Sequence, residues 1–348
     1  MLAAESSRVK PFKPSLRDQP LDWKEIIEPV EPFLTAVNQR LADQIQEFDP
    51  EIAAYAEYAL TGQGKQLRPA LVALSAGTIG KTSDAHVLAA VIIEMIHLAT
   101  LVHDDVIDEA QIRRGRPTLA ANWGNEISVL LGDCLFAHAL KLAASFPTTE
   151  ICRCVAAATN TVCAGEILQT QRQKNFELKR AEYFKVIQMK TGELFALSCD
   201  LGAYLSGATT AQRNHLRQYG LEIGTAYQVY DDCLDVFGSE AAAGKSLGTD
   251  LAKGKLTLPV IWLTERCGNA ERGELNAWLK DWKPQYFPKL LAALLAHDAL
   301  AECRRAVQQH VQAAGQQLAG LPENLARTGL FGLTEYLAVQ VARLQKSS

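Results

Sequence analysis

Apolar residues recur at helical spacing along most of the chain, and the alternation of a half-buried strand is scarce. The pattern predicts helices over 25–47, 50–60, 67–79, 84–109, 126–144, 148–174, 179–206, 210–237, 255–266, 286–296, 300–318 and 323–345. Breakers fall between them: Thr61-Gly62-Gln63-Gly64, Gly115-Arg116-Pro117, Phe146-Pro147 and the stretch from Gly238 to Gly254. No βαβ repeat occurs and no shift of composition marks a linker. The expected fold class is therefore all-α, one large helical bundle over residues 21–348 behind a flexible lead-in at 1–20, with helices stacked around a buried central pair. The most apolar run, Val87 to Val102, is shorter than the roughly 20 residues of a bilayer span and carries Glu94 and His97. It reads as a core helix that leads directly into acid.

Composition narrows the class. With 348 residues, 48% of them hydrophobic and 21% charged, the chain is too apolar for disorder. Lys+Arg 35 against Asp+Glu 39 gives a net charge of -4, so no nucleic-acid partner is expected. The eight cysteines lack zinc-site spacing, Cys152 and Cys154 being the only close pair, and they read as reduced thiols of a cytoplasmic protein. The N-terminal segment has no apolar core of signal-peptide length, and no stable membrane anchor is expected. The run Gly238 to Ser246 has one residue too many between its glycines for a phosphate loop, and it follows a helix where such a loop follows a strand.

The chemistry sits in repeated carboxylates. Asp104, Asp105 and Asp108 end one apolar helix in DDVID, and Asp231, Asp232 and Asp235 lie in a second in DDCLD. Spacing of four puts Asp104 with Asp108, and Asp231 with Asp235, on one helix face. Like charges so placed repel unless a cation joins them, and carboxylate oxygens suit Mg²⁺ completed by water and phosphate. A single such triplet reads equally as a solvated helix end; two, each behind a nearly uncharged run, read as the lining of a cavity. Cations accompany them: Lys65 and Arg68 before the first cluster, Arg113 and Arg114 after it, Lys190 on a middle helix, and Lys245 and Lys255 after the second. Arginine forks and lysine ammoniums match phosphate oxygens, so the ensemble describes a site for two polyanions.

In this order the motifs resemble the trans-polyprenyl diphosphate synthases. The resemblance covers about Gly62 to Pro259 and rests on GKQLRP, HLATLVHDDVIDEAQIRRGRP, the GEILQ run at Gly165, KTGELF at Lys190, GTAYQVYDDCLDVFG and GKSLGTDLAKGKLTLP. It implies an isoprenoid-synthase bundle with a central cavity, in which about three Mg²⁺ ions bridge an allylic diphosphate from Asp104, Asp108 and Asp231, with Asp105, Asp232 and Asp235 in support. It further implies that Arg113, Lys190, Lys245 and Lys255 contact that diphosphate. Gly64, Lys65, Arg68, His97 and Arg114 would bind isopentenyl diphosphate, while Thr191 and Gln228 would face the developing carbocation. Arg343 is a candidate to close over the site. By position alone His97 reads as well as a hydrogen-bonded core histidine. Gln63 and Gln66 stand where the family usually has glycine and arginine, departures that bear on isopentenyl diphosphate affinity.

The chain would grow from Asp104 down its own helix, past Thr100 and Ala99. Both are small where short-chain members commonly carry an aromatic plug, which moves the expected floor to Leu131, Leu135 or Phe136 on the next helix and the expected product to about C30–C50. A farnesyl or geranylgeranyl diphosphate synthase is the rival, differing only in that floor. A class I terpene cyclase would not need the basic subsite, and a non-catalytic partner subunit would lack the acidic motifs. The family's habit implies a homodimer through helices such as 126–144.

Overall fold

The structure is a computed structural model and describes residues 22–61, 64–239 and 247–344; the expected lead-in at 1–20 lies outside them. Asp22 caps α1 (Trp23–Ile27), accepting from Glu25 N at 2.8 Å, and a 3₁₀ turn (Glu28–Val30) leads into α2 (Glu31–Gln44). The helix expected over 25–47 is thus broken at Pro29 and Pro32, which lack the N–H a continuous helix needs and sit instead in first turns. Then come α3 (Ala53–Leu60), α4 (Leu67–Ile79) and α5 (Asp84–Ile107). A small antiparallel hairpin follows, β1 (Ile112–Arg113) against β2 (Arg116–Pro117), with Arg113 opposite Arg116.

Beyond it lie α6 (Leu119–Trp123), α7 (Asn125–Ala144), α8 (Thr149–Gln171) and α9 (Arg180–Ile187). A π turn (Gln188–Gly192) joins α9 to α10 (Glu193–Leu205), and α11 (Thr210–Phe237) follows. The remainder is α12 (Thr249–Ala252), α13 (Leu258–Arg266), α14 (Asn269–Lys280), α15 (Phe287–Ala296), α16 (Ala299–Leu318) and α17 (Leu325–Arg343). Helix α14 escaped the periodicity reading because it is largely polar, carries Gly273 and buries only Leu275 and Leu279.

Helices α5 and α11, which carry the two acidic clusters, both pack on a third helix, α10. Every residue of α10 from Glu193 to Ala203 is buried, and α10 packs against α11, α4, α5 and α8. Helix α5 also packs on α7, and α11 on α16 and α17. Val91, Ile92, Ile93, Met95 and Ala99 of α5 are fully buried. Each of the four larger side chains contributes on the order of 1.5–3 kcal/mol by leaving water. Two apolar clusters result, one around α2, α4, α5, α7, α8 and α10, the other around α9, the end of α11 and α13 to α17; Tyr227 borders both.

By length and composition alone, α5, α7 and α8 could each cross a membrane. The shortness inferred for Val87–Val102 therefore does not describe the helix that contains it. Helix α5 is taken up by the core, with 67% of its apolar window buried, against 39% for α7 and 28% for α8.

Candidate active site

Helix α5 ends in Asp104 and Asp105, and Asp108 caps it, its N–H donating to Asp104 O at 2.8 Å. Free carbonyls at a helix C-terminus add negative potential to these carboxylates, so the end of α5 attracts cations. Arg113 Nε lies 2.7 Å from Asp105, and Lys190 Nζ 3.3 Å from Asp104 and 2.5 Å from Glu166. Asp108 takes two ammoniums, Lys253 at 3.0 Å and Lys255 at 2.7 Å. Burial pushes the Asp105 carboxyl up despite Arg113, and burial with Asp104 nearby raises Glu166. Burial also works against the charge on Asp108, but Lys255 and Lys253 together hold it below the usual carboxylate value. Lys190 is opposed by burial and still held above its usual value by Asp104 and Glu166.

Lys190 and Thr191 stand on the π turn, whose extra residue bulges from the helix. Two glycines let the neighbouring helices approach it. A Cβ on Gly165 of α8 would come 2.8 Å from Met189 Cβ and 2.9 Å from Lys190 N, and one on Gly224 of α11 would come 2.8 Å from Gly192 Cα.

On α11, Asp232 accepts from Tyr183 Oη at 2.6 Å and from Gln228 Nε2 at 2.8 Å. The Gln228 carbonyl in turn accepts from Thr191 Oγ1 at 2.8 Å, which ties the π turn to the second acidic cluster. Burial, then Asp250, drives the Asp232 carboxyl well above its ordinary value. Asp231 is half-buried, one turn from Tyr227, whose phenol it helps to raise after burial. Asp235 is fully buried and serves the loop beyond, accepting from Thr249 Oγ1 at 2.7 Å, Thr249 N at 3.3 Å and Asp250 N at 3.2 Å. That geometry makes it an anchor for α12.

The two clusters meet at one cavity of about 160 Å³, whose lining includes Asp108, Lys190, Thr191, Gln228, Asp232 and Lys255 above a wall of Leu178, Val186, Ile187 and Leu256. Among the described residues no three His, Cys, Asp or Glu side chains converge closely enough to hold an ion by themselves. Hard carboxylates on two facing helices still fit Mg²⁺, which commonly takes one or two of them and fills its octahedron with water and substrate phosphate.

The second basic group gathers beside Asp105. A Cβ on Gly64 would come 2.8 Å from Arg114 Nη1, and the Arg68 guanidinium lies 5.0 Å from the Phe195 ring centre. Arg68 and Arg114 both act on Glu94, whose carboxyl burial pushes up and the two arginines pull down. Burial, then Arg68, Arg114 and Arg113, hold the His97 imidazole well below its usual pKa, hence neutral. Lys65 lines a small cleft with Tyr227 and Tyr336, and Arg343 acts on Tyr336 from the end of α17. Gln66 caps α4 in a left-handed conformation and exchanges amide hydrogen bonds with Asn38 of α2. Ala99 is buried and Thr100 donates to His97 O at 2.7 Å; Phe136 lies 5.7 Å from His103, ring centre to ring centre. Lys245 and Gln63 lie outside the described residues.

Residues 49–293 match the polyprenyl synthetase family model. The chain belongs to the polyprenyl synthetase family. It is a prenyl diphosphate synthase, an all-α prenyltransferase. It is 35% identical over 317 residues to an octaprenyl diphosphate synthase of Haemophilus influenzae, covering 90% of this chain and 96% of that protein. Among solved structures it resembles a decaprenyl diphosphate synthase from Rhodobacter capsulatus (TM-score 0.86, 33% identity, 93% of this chain and 100% of that one). A polyprenyl synthase from Caulobacter crescentus, complexed with calcium and isoprenyl diphosphate, gives a TM-score of 0.87 at 32% identity, covering 94% of this chain and 100% of that one.

Several residues of the synthase's site went unread in the sequence. Glu166 and Gln169 both contact Lys190, and GEILQ carried the signal without a role. Glu94 faces the arginines, and a lone carboxylate in an apolar helix was the signal. Tyr183 and Lys253 reach Asp232 and Asp108 from elsewhere in the chain, and nothing in local spacing announces either.

Proposed function

We propose that this synthase condenses isopentenyl diphosphate with an allylic diphosphate through Mg²⁺-assisted ionisation and builds an all-trans polyprenyl diphosphate of about C30–C50. The observation that carries the reading is the cavity on which Asp108 and Asp232 meet, bordered by Lys190 and Lys255. Asp104, Asp108 and Asp231 would hold the metal. When bound, Mg²⁺ supplies Lewis-acid stabilisation of the charge that grows on the leaving diphosphate. Lys190 and Lys255 line that cavity and Arg113 holds Asp105 at the same helix end; on binding they would exchange carboxylate for diphosphate oxygens, so that their charge is in place before ionisation.

The Thr191 hydroxyl and Gln228 carbonyl offer oxygen lone pairs toward the allylic carbon, while Leu178, Val186, Ile187 and Leu256 keep water away from it. Isopentenyl diphosphate would rest on Gly64, Lys65, Arg68, His97 and Arg114. The neutral His97 donates a hydrogen bond without adding charge. The proton lost after coupling would go to the released diphosphate.

The helix face of Ala99 continues through His103, which packs against Phe136 and into Gly132 of α7. Product growth along that face would end near Leu131, Leu135 or Phe136, and the long-chain names of the relatives support the same length. Helix α7 leaves Val129, Leu130 and Leu140 exposed, and α8 leaves Ile167 exposed. That apolar surface favours a homodimer, a self-complementary pairing being the usual way to cover such a face.

Purified protein incubated with Mg²⁺, isopentenyl diphosphate and farnesyl diphosphate should yield a long polyprenyl diphosphate by mass analysis. Asp104→Ala should abolish it, and Ala99→Phe should shorten the product. A farnesyl or geranylgeranyl product from the unaltered protein would restore the short-chain reading.

A further inference from the structure

The first acidic cluster is matched charge for charge: Asp104, Asp105, Asp108 and Glu166 face Lys190, Arg113, Lys253 and Lys255. Any divalent ion entering this set must displace resident cations or arrive with anions of its own. Arg113, Lys190 and Lys255 have a second employment in the mechanism proposed above, on the allylic diphosphate. Lys253 has none. Its Nζ lies 3.0 Å from Asp108 Oδ2, the oxygen that Lys255 also reaches at 2.9 Å.

The local chain explains why both lysines converge. Gly254 between them adopts a left-handed φ of +71°, and its carbonyl accepts from Lys174 N at 2.8 Å. Lys255 N is meanwhile held by Asp250 O at 2.9 Å. The turn therefore folds the flanking ammoniums onto one carboxylate. Their freedom differs: the Lys253 side chain is 31% exposed and that of Lys255 10%. Lys253 is the ammonium that can swing to water at small cost.

We infer that Lys253 is a displaceable counter-ion of Asp108, one that keeps divalent metal from loading firmly before diphosphate arrives. The inference rests on the metal reading of Asp108. A carboxylate oxygen already taken by an ammonium is a poor ligand for a bare cation. Once a diphosphate draws Lys255 away and brings negative charge, the balance turns and Lys253 yields its place. Lys253 thus sets the metal demand of the reaction without touching substrate.

The test is Mn²⁺ binding to the substrate-free protein, followed by electron paramagnetic resonance of the free ion. Lys253→Met should bind Mn²⁺ about tenfold tighter than the unaltered protein, a modest factor because the pair is partly exposed. Lys253→Arg, which keeps the charge, should behave as the unaltered protein does. The Mg²⁺ half-saturation of turnover should fall in Lys253→Met while the KM for the allylic diphosphate stays constant. Unchanged or weaker Mn²⁺ binding by Lys253→Met overturns the inference, as does a raised KM for the allylic substrate, which would make Lys253 a substrate ligand. Asp104→Ala serves as the separate control. If both it and Asp108→Ala bind Mn²⁺ and turn over as the unaltered protein does, the metal reading itself fails, whatever Lys253 does.

Discussion

Replacing Gly165 by alanine would push a methyl group into the turn that carries Lys190. The added Cβ would stand 2.8 Å from Met189 Cβ, 2.9 Å from Lys190 N and 3.1 Å from Met189 C, and ordinary contact begins at 3.4 Å. Two of those atoms are backbone, so no side-chain rotation relieves the clash. Either α8 or the π turn must retreat by about 0.6 Å, and overpacking of this kind costs about 1–3 kcal/mol. The thermal midpoint should drop by about 1.5–4 °C for a protein of this size.

The chemical effect should exceed the structural one. Lys190 is fixed by Glu166, Asp104 and Gln169 at 2.5, 3.3 and 3.0 Å, and the first and last of these partners lie on the same α8 that must move. Displacing a positioned charge by a fraction of an ångström to an ångström lowers rate by about 10–100-fold. Single-turnover release of diphosphate from the allylic substrate isolates that step. Gly64→Ala provides the contrast, since its Cβ would meet only the tip of the Arg114 side chain and should leave ionisation alone. Normal single-turnover rates in a folded Gly165→Ala protein would refute the argument that glycine at 165 serves the placement of Lys190.

Other expectations follow from the same geometry. Asp235→Ala should cost about 3–4 kcal/mol in urea unfolding, because donors from Thr249 and Asp250 lose a buried acceptor, while Asp235→Asn should lose less. Arg116→Ala removes a guanidinium stacked 4.3 Å over Tyr58 and bonded to its carbonyl at 2.8 Å, the clasp between the β1–β2 hairpin and α3. The KM for isopentenyl diphosphate should rise about tenfold with a smaller change in kcat, as Arg114 loses its placement. Burial, outweighing a hydrogen bond with Gly202, holds the His86 imidazole below 6.5, and its ring nitrogens meet Ser83 and Ser206. The unfolded chain takes up that proton first as pH falls, so the stability contributed by neutral His86 is complete above pH 6.5 and is lost below it. The gap in thermal midpoint between the unaltered protein and His86→Asn should therefore close on acidification, and a gap that widens would contradict the assignment.

What the sequence disclosed depended on range. The pattern predicts α11 at 210–237 and α5 at 84–109 because their apolar periods are long and their ends punctuated; the latter overshoots by the Asp108 cap and Glu109. The acidic triplets were visible because each is local. That the triplets line a cavity follows from the nearly uncharged run before each, and in the fold Asp108 and Asp232 both border one cavity. The π turn has no local signal, since QMKTG continues a helical pattern; in the fold it lies where Gly165 and Gly224 let α8 and α11 approach closely. Asp235 shows what spacing alone leaves out. Equivalent spacing suggested a share in the Asp231 site, and only the fold reveals that Thr249 and Asp250 occupy its carboxylate. Gln66 is similar: its exchange of hydrogen bonds with Asn38, distant by 28 positions, gives the residue a partner that no motif could suggest.

A helix with one π turn is two helical segments whose angular phases no longer agree. Residues of α9 and α10 that a continuous helix would align are offset by about 100°, the rotation of a single residue. That offset lets the polypeptide turn Tyr183 to Asp232 and Thr191 to Gln228 while burying Phe195 under Arg68. Deleting any one residue between Gln188 and Gly192 would restore a regular screw and disconnect these engagements together. Loss of length here would be felt as a loss of alignment, and a compensating single-residue insertion anywhere in the same turn should recover more than any side-chain substitution could.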